Sequence, residues 1–114
     1  MPDYELQARN HKINQNEAEE SGMQVLKVSG STNPKNIADA LAIKLCADGE
    51  CELQAVGPQA VNQMVKAAAI GRNKLGRVGF GLSCIPGFFK TDNGYSGMNM
   101  IIKRERLDIT SEGE

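Results

Sequence analysis

Apolar and β-branched residues gather in Met23-Gln-Val-Leu-Lys-Val-Ser29 and then give way to turn formers, which predicts a strand. Residues 30–33 read as a loop. Asn33 followed by Pro34 matches an N-cap with proline in the first helical position. Ile37, Ala38, Leu41, Ala42 and Leu45 recur at helical spacing, so a helix is expected to about Ala47. Asp48-Gly49 ends it, with Gly49 suited to a left-handed cap. Glu50 to Val56 alternates: Cys51, Leu53 and Ala55 point one way, Glu50, Glu52 and Gln54 the other, as in a strand with one wet face. Gly57-Pro58 breaks that strand and opens a second helix, from about Gln59 to Asn73, with Val61, Met64, Val65 and Ala68 as its inward stripe. Arg77 to Phe88 alternates again, with Val78, Phe80, Leu82 and Cys84 on one face, which places Cys84 in the core. Thr91-Asp-Asn-Gly94 is a turn signal. Tyr95 to Arg106 is the last strand, with Met98, Met100 and Ile102 facing inward. The order is βαβαββ, an α/β (α+β) domain without internal repeats.

The ends of the chain differ from this middle. Residues 1–21 are polar and charged and show no sustained period, so they bury too little surface to offset their ordering entropy; a disordered tail is expected. Residues 108–114 form a short acidic tail, which leaves 22–107 as the folded domain. The formal net charge of the chain is −1, unlike that of a strongly basic DNA coater. The acids, however, cluster at the two ends. Between Gly22 and Arg104, ten Lys and Arg face five Asp and Glu, so the domain itself is basic by about +5.

The three cysteines, Cys46, Cys51 and Cys84, lack C-x-x-C spacing and argue against a disulfide framework or a zinc site. No apolar run approaches the roughly 18 residues of a membrane span, and the N-terminus has no apolar signal-peptide core. A cytoplasmic location is expected. The single histidine, His11, lies in the tail, which weakens any Ser-His or Cys-His nucleophile. Glu50 and Glu52 share a strand face and read as a solvated pair. No cofactor, metal or small-molecule substrate is expected, and the chain does not read as an enzyme.

Two loops are suited to anions. Residues 29–33 lead into the first helix, whose free N–H groups and dipole favour a phosphate. Lys35 sits in that first turn, where a cation is unfavourable unless an anion offsets it. Gly57-Pro58-Gln59 offers a second helix N-terminus at the same end of the sheet. The second helix is apolar over most of its circumference, because Ala67, Ala69 and Ile70 widen its inward stripe. Such a helix is buried on two sides; one meets the sheet, and a second copy of the chain is the simplest partner for the other. A homodimer through Met64, Ala67 and Ile70 is therefore expected. Of Phe88 and Phe89, neighbours that point to opposite strand faces, one lies off the core face, where it covers a loop, meets a partner or stacks on a base.

Val25-Leu-Lys-Val-Ser29, Asn36-Ile-Ala-Asp-Ala-Leu-Ala42, Leu53-Gln-Ala-Val-Gly57, Ala60-Val-Asn-Gln-Met-Val-Lys-Ala67, Ile70-Gly-Arg72 and Cys84-Ile-Pro-Gly-Phe88 resemble, block by block, the stage V sporulation protein S family. That family resembles Alba, a small dimeric chromatin protein that binds DNA and RNA. The resemblance covers about residues 23–106. It implies a two-layer Alba-like fold, a mixed four-stranded sheet with both helices on one face, and dimers formed largely through the second helix and the sheet. It also implies nucleic-acid contacts from the loops before the helices and from the last hairpin. Matching positions are Lys35, Gln54 and Gln59, and Lys90, with Arg72 and Lys74 near the end of the second helix. Val56, Gly57 and Pro58 stand where Alba has arginines, so backbone-directed binding weaker than that of Alba is expected. The function expected is a dimeric nucleic-acid-binding protein with a regulatory role in sporulation or related development. The competing expectation is a protein-interaction module that kept the fold and lost the charge.

Overall fold

A computed structural model of the chain describes residues 22–107. The tails expected at 1–21 and 108–114 lie outside those residues. Six elements follow in the expected order: β1 (Val25–Val28), α1 (Pro34–Asp48), β2 (Glu50–Ala55), α2 (Pro58–Gly76), β3 (Phe80–Lys90) and β4 (Ser96–Arg106). The local signals act as read. The Asn33 side chain accepts a hydrogen bond from the Lys35 backbone N–H at 2.9 Å, and Gly49, at φ 83°, closes α1 with its N–H on the Leu45 carbonyl. Where the chain runs on, it does so at α2, which continues to Gly76, and at β3, which passes through Pro86 to Lys90. Proline is tolerated there because β3 is the last strand of the sheet and needs no ladder donor on its outer side.

The sheet order is β1-β2-β4-β3. β1 and β2 are parallel, while β4 runs antiparallel to both of its neighbours. Parallel strands need a crossover connection, which α1 supplies. Both helices lie on one face and close a single core. Leu26, Leu53 and Met100 form one cross-strand row of it, Cys51 and Ile102 another, packed under Ile37, Leu41, Leu45, Met64 and Leu75. The fold is two-layered, Alba-like α+β, as expected.

Two expectations about the core are corrected. The buried face of α2 is Ala60, Met64, Ala67, Ala68, Gly71 and Leu75, while Val65 is 53% exposed. Small residues let α1 approach closely: a Cβ on Gly71 would stand 3.1 Å from Leu41 Cδ2. The apolar breadth of α2 is thus largely taken up by the sheet on one side and α1 on the other. Met64 and Ala67 are buried in the chain's own core, and Ile70 is half-buried on the α1 flank. Cys84 is the second correction, for it is exposed. It shares its strand face with Phe80 and Leu82, which pack on the core. Alternation assigns the face, but the helical layer stops short of the outer half of β3, leaving Cys84, Pro86 and Phe88 bare.

The other sheet face is polar but not simply wet. Gln54 is 5% exposed. The Glu52 carboxylate accepts from Gln54 Nε2 at 2.9 Å and from Asn99 Nδ2 at 2.8 Å, all through Oε2. Farther along, Phe89 lies over Gly97. A Cβ on Gly97 would fall 2.5 Å from the Phe89 ring and 2.8 Å from the Ala55 carbonyl oxygen, and the latter is backbone that cannot step aside. Gly97→Ala should therefore cost about 1–3 kcal/mol in a urea titration. Gly76→Ala, with nothing near its new methyl, should be neutral or slightly stabilising, because it reduces the entropy of the unfolded chain. Equal midpoints for the two variants would contradict this packing.

Candidate nucleic-acid interface

Strand directions decide which loops meet. β1, β2 and β3 run one way and β4 the other. One end of the sheet therefore collects the loops before α1 and α2, both helix N-termini and the β3–β4 hairpin. Lys35, Gln59 and Lys90 lie at this end. Four strands set its width, on the order of 14 Å between the outer strand axes. Arg72 and Lys74 do not join them. They lie 13 and 15 residues past Gln59 on α2, about 20 Å away along the axis. Lys74 Nζ is also engaged, 2.9 Å from Asp39 Oδ1 of α1.

The loop before α1 is built from hydroxyls. Ser29 Oγ and Thr32 Oγ1 stand 2.7 Å apart, and the Ser29 backbone N–H donates to Thr32 Oγ1 at 3.0 Å. The loop is fixed from the side by α2. Gln63 Nε2 donates to the Thr32 carbonyl at 3.1 Å, and Gln59 packs on Gly30 so closely that a Cβ there would stand 3.2 Å from Gln59 Cδ. Gln59 thus joins the two loops as well as facing solvent. The helix N-termini differ. Asn33 caps α1, whereas Gly57 gives α2 no side-chain cap, so the positive end of α2 lacks a local acceptor. In the hairpin, the Thr91 N–H donates to the Tyr95 carbonyl at 2.8 Å and the Tyr95 N–H returns to Thr91 Oγ1 at 3.0 Å, with Gly94 at φ 85°. Lys90 is thereby presented on a defined turn.

Two further residues belong to this end. Lys27 and Phe89, with Ser29, Gly30, Thr32 and Gln54, line a depression of about 350 Å³. Lys27 sits in the middle of an apolar strand and gave no local signal. Phe89 was legible as an off-face aromatic, but its place over Gly97 depends on the pairing of β3 with β4. Phe88 is the more exposed of the pair, at 81%. Among the described residues Lys27, Lys35 and Lys90 make no ion pair. Arg104, at the opposite end of the sheet, is used internally. Its Nη1 donates to the Cys46 carbonyl at 3.1 Å and its guanidinium lies 4.7 Å from the Phe80 ring centroid, so it complements the negative C-terminus of α1.

Among the described residues no group of three or more His, Cys, Asp or Glu side chains gathers as metal ligands would. No helix there is long and apolar enough to cross a membrane. The arrangement defines a class: a small Alba-like domain with cations and helix ends collected at one edge. The sequence profile of the stage V sporulation protein S family matches residues 24–104. That is most of the chain and nearly all of its described part, and the chain belongs to the stage V sporulation protein S family. Membership implies a sporulation-related role, and the family is not known as one of enzymes.

The cysteines give a direct check on the fold. Burial pushes the Cys51 thiol up to about 12, and partial burial raises that of Cys84. A thiol reagent at mildly alkaline pH should label Cys46 first and Cys84 more slowly, and reach Cys51 only on unfolding. The unfolded Cys51 thiol ionises near its ordinary value of 9.0. Its contribution to stability is therefore complete below that pH and declines as pH rises from 9 towards 12. Cys51→Ala should remove that part of the alkaline decline in a denaturation series.

Proposed function

We propose that this protein is a dimeric, backbone-directed nucleic-acid-binding protein with a regulatory role in sporulation or related development. One observation carries this reading: Lys27, Lys35 and Lys90, with no ion pair among the described residues, share a sheet end with the uncapped N-terminus of α2. Cations without partners and oriented backbone N–H groups are what a phosphate chain binds. The contacts are few, so affinity is modest and base readout through them small. The contribution once expected from Arg72 and Lys74 is minor, since they stand far along α2 and Lys74 is paired.

The second copy is best accommodated elsewhere than Met64, Ala67 and Ile70. Val65 and Arg72, seven residues apart, share the flank of α2 opposite the one that meets α1. Val65 there and Cys84 and Phe88 on the bare half of β3 are exposed apolar side chains on the helical side of the sheet, and such surface favours self-association. The same surface is what favours the competing reading, a protein-interaction module.

Fluorescence anisotropy with mixed-sequence duplex DNA and single-stranded RNA tests the first reading, at about 50 and 200 mM salt, the range over which phosphate contacts weaken steeply. Lys35→Glu combined with Lys90→Glu should abolish binding, and Arg72→Glu should change it little. Retained binding in the double variant would remove the site assignment. Sedimentation should show a dimer that Val65→Glu or Phe88→Glu converts to monomer; monomeric wild-type protein would remove the dimer.

A further inference from the structure

The depression beside the cations is not needed for backbone contacts, yet its lining is specific. We infer that it accepts one unpaired base of a single-stranded nucleic acid, stacked on Phe89, with a flanking phosphate held by Lys27. This rests on the nucleic-acid reading above and extends it from backbone to base. The volume, about 350 Å³, lies at the small end of the roughly 300–1,000 Å³ range of ligand pockets.

Three features define the occupant. The first is the ring. Phe89 is seated on Gly97, the position in its row without a side chain, and any Cβ there would strike it. The ring is therefore held in place before a ligand arrives, and every base presents a π-face to such a platform. The second is the polar lining. Ser29 and Thr32 hydroxyls stand at hydrogen-bond distance from each other, and each hydroxyl can donate or accept. Such groups serve a purine or a pyrimidine edge with little discrimination. Gln54 is oriented by Glu52, which can only accept, so that the amide nitrogen is turned to the carboxylate. The third is charge. Lys27 is exposed on the pocket wall with no ion pair among the described residues, and Lys35 and Lys90 lie at the same sheet end. Glu52, one of the acids on this face, already takes two amide N–H donors. A polyanion carrying flat, amphipathic rings matches all three. A duplex keeps its bases stacked and paired, so a pocket that holds one base favours a single strand.

The test uses the full chain and anisotropy with short fluorescein-labelled oligouridine, oligothymidine and a mixed-sequence duplex. Wild-type protein should prefer both single strands to the duplex. Phe89→Leu keeps an apolar cover for Gly97 but loses the π-face. It should weaken single-strand binding about 5-fold or more while leaving the salt slope and the duplex affinity unchanged. Lys27→Gln should instead lower the salt slope by about one phosphate contact. Wild-type single-strand affinity in Phe89→Leu, with binding lost in the Lys35→Glu, Lys90→Glu protein, overturns the base pocket and leaves the backbone reading standing. No binding of any probe by wild-type protein at low salt overturns both. Photocrosslinking of a bromouracil-containing strand to unmutated protein does not depend on how a variant folds. An adduct at Phe89 supports the pocket, and adducts confined to residues 90–95 overturn it.

Discussion

Two parallel strands cannot be joined by a tight turn, so the pairing of Val25–Val28 with Glu50–Ala55 forces the chain to cross the sheet through a helix. Much of the remaining structure follows from that pairing. It sends α1 over the face that carries Leu26, Leu53 and Met100, and it leaves the next connection at the same sheet end as the first. When β4 enters between β2 and β3, antiparallel to both, the last hairpin is delivered to that end as well. Lys35, Gln59 and Lys90 come from three separate parts of the chain, and strand direction alone brings them to one edge.

The packing between the helices sets what is left for partners. Gly71 admits Leu41 almost to backbone contact, and Ala67 and Met64 fill the space beneath. A close helix pair buries more of α2 than a lone amphipathic helix would, and so removes from the surface residues that look adhesive in sequence. The cover it provides is narrow. The outer half of β3 extends past it, and Cys84, Pro86 and Phe88 remain bare on a strand that also has an unpaired edge. The apolar surface left exposed on this side of the sheet therefore lies at the margin of the helical layer and not at its centre.

Charge is divided by the same geometry. Arg104 and Lys74 are drawn into internal roles, one at the C-terminus of α1 and one across the helix pair. Among the described residues the cations at the opposite end have no such duty, and the hydroxyl-lined loop, the uncapped α2 and Phe89 accompany them. Surface ion pairs of the Lys74–Asp39 kind are worth at most about 1 kcal/mol, but they change which cations are available to a polyanion. A near-neutral chain can thus carry a local basic edge.

The sequence by itself determined the elements and their order, because their signals are local: Asn33 before Pro34, the left-handed Gly49, alternation at Cys51, Leu53 and Ala55, and the hairpin turn at Thr91–Gly94. It also marked Lys35 and Lys90, each beside such a signal. Tertiary structure decided what depends on partners distant along the chain. Val65 and Met64 are both apolar and adjacent, and only the position of α1 and the sheet buries one and exposes the other. Cys84 has the right alternation for the core and lies beyond the reach of α2. Lys27 resembles a stray charge in an apolar strand until Gln54, the Ser29–Thr32 loop and Phe89 surround it, and Gly97 is an unremarked glycine until the β3–β4 register lays a ring across it. Periodicity reports the direction in which a side chain points, and the length and placement of the neighbouring layer determine whether anything is there to meet it.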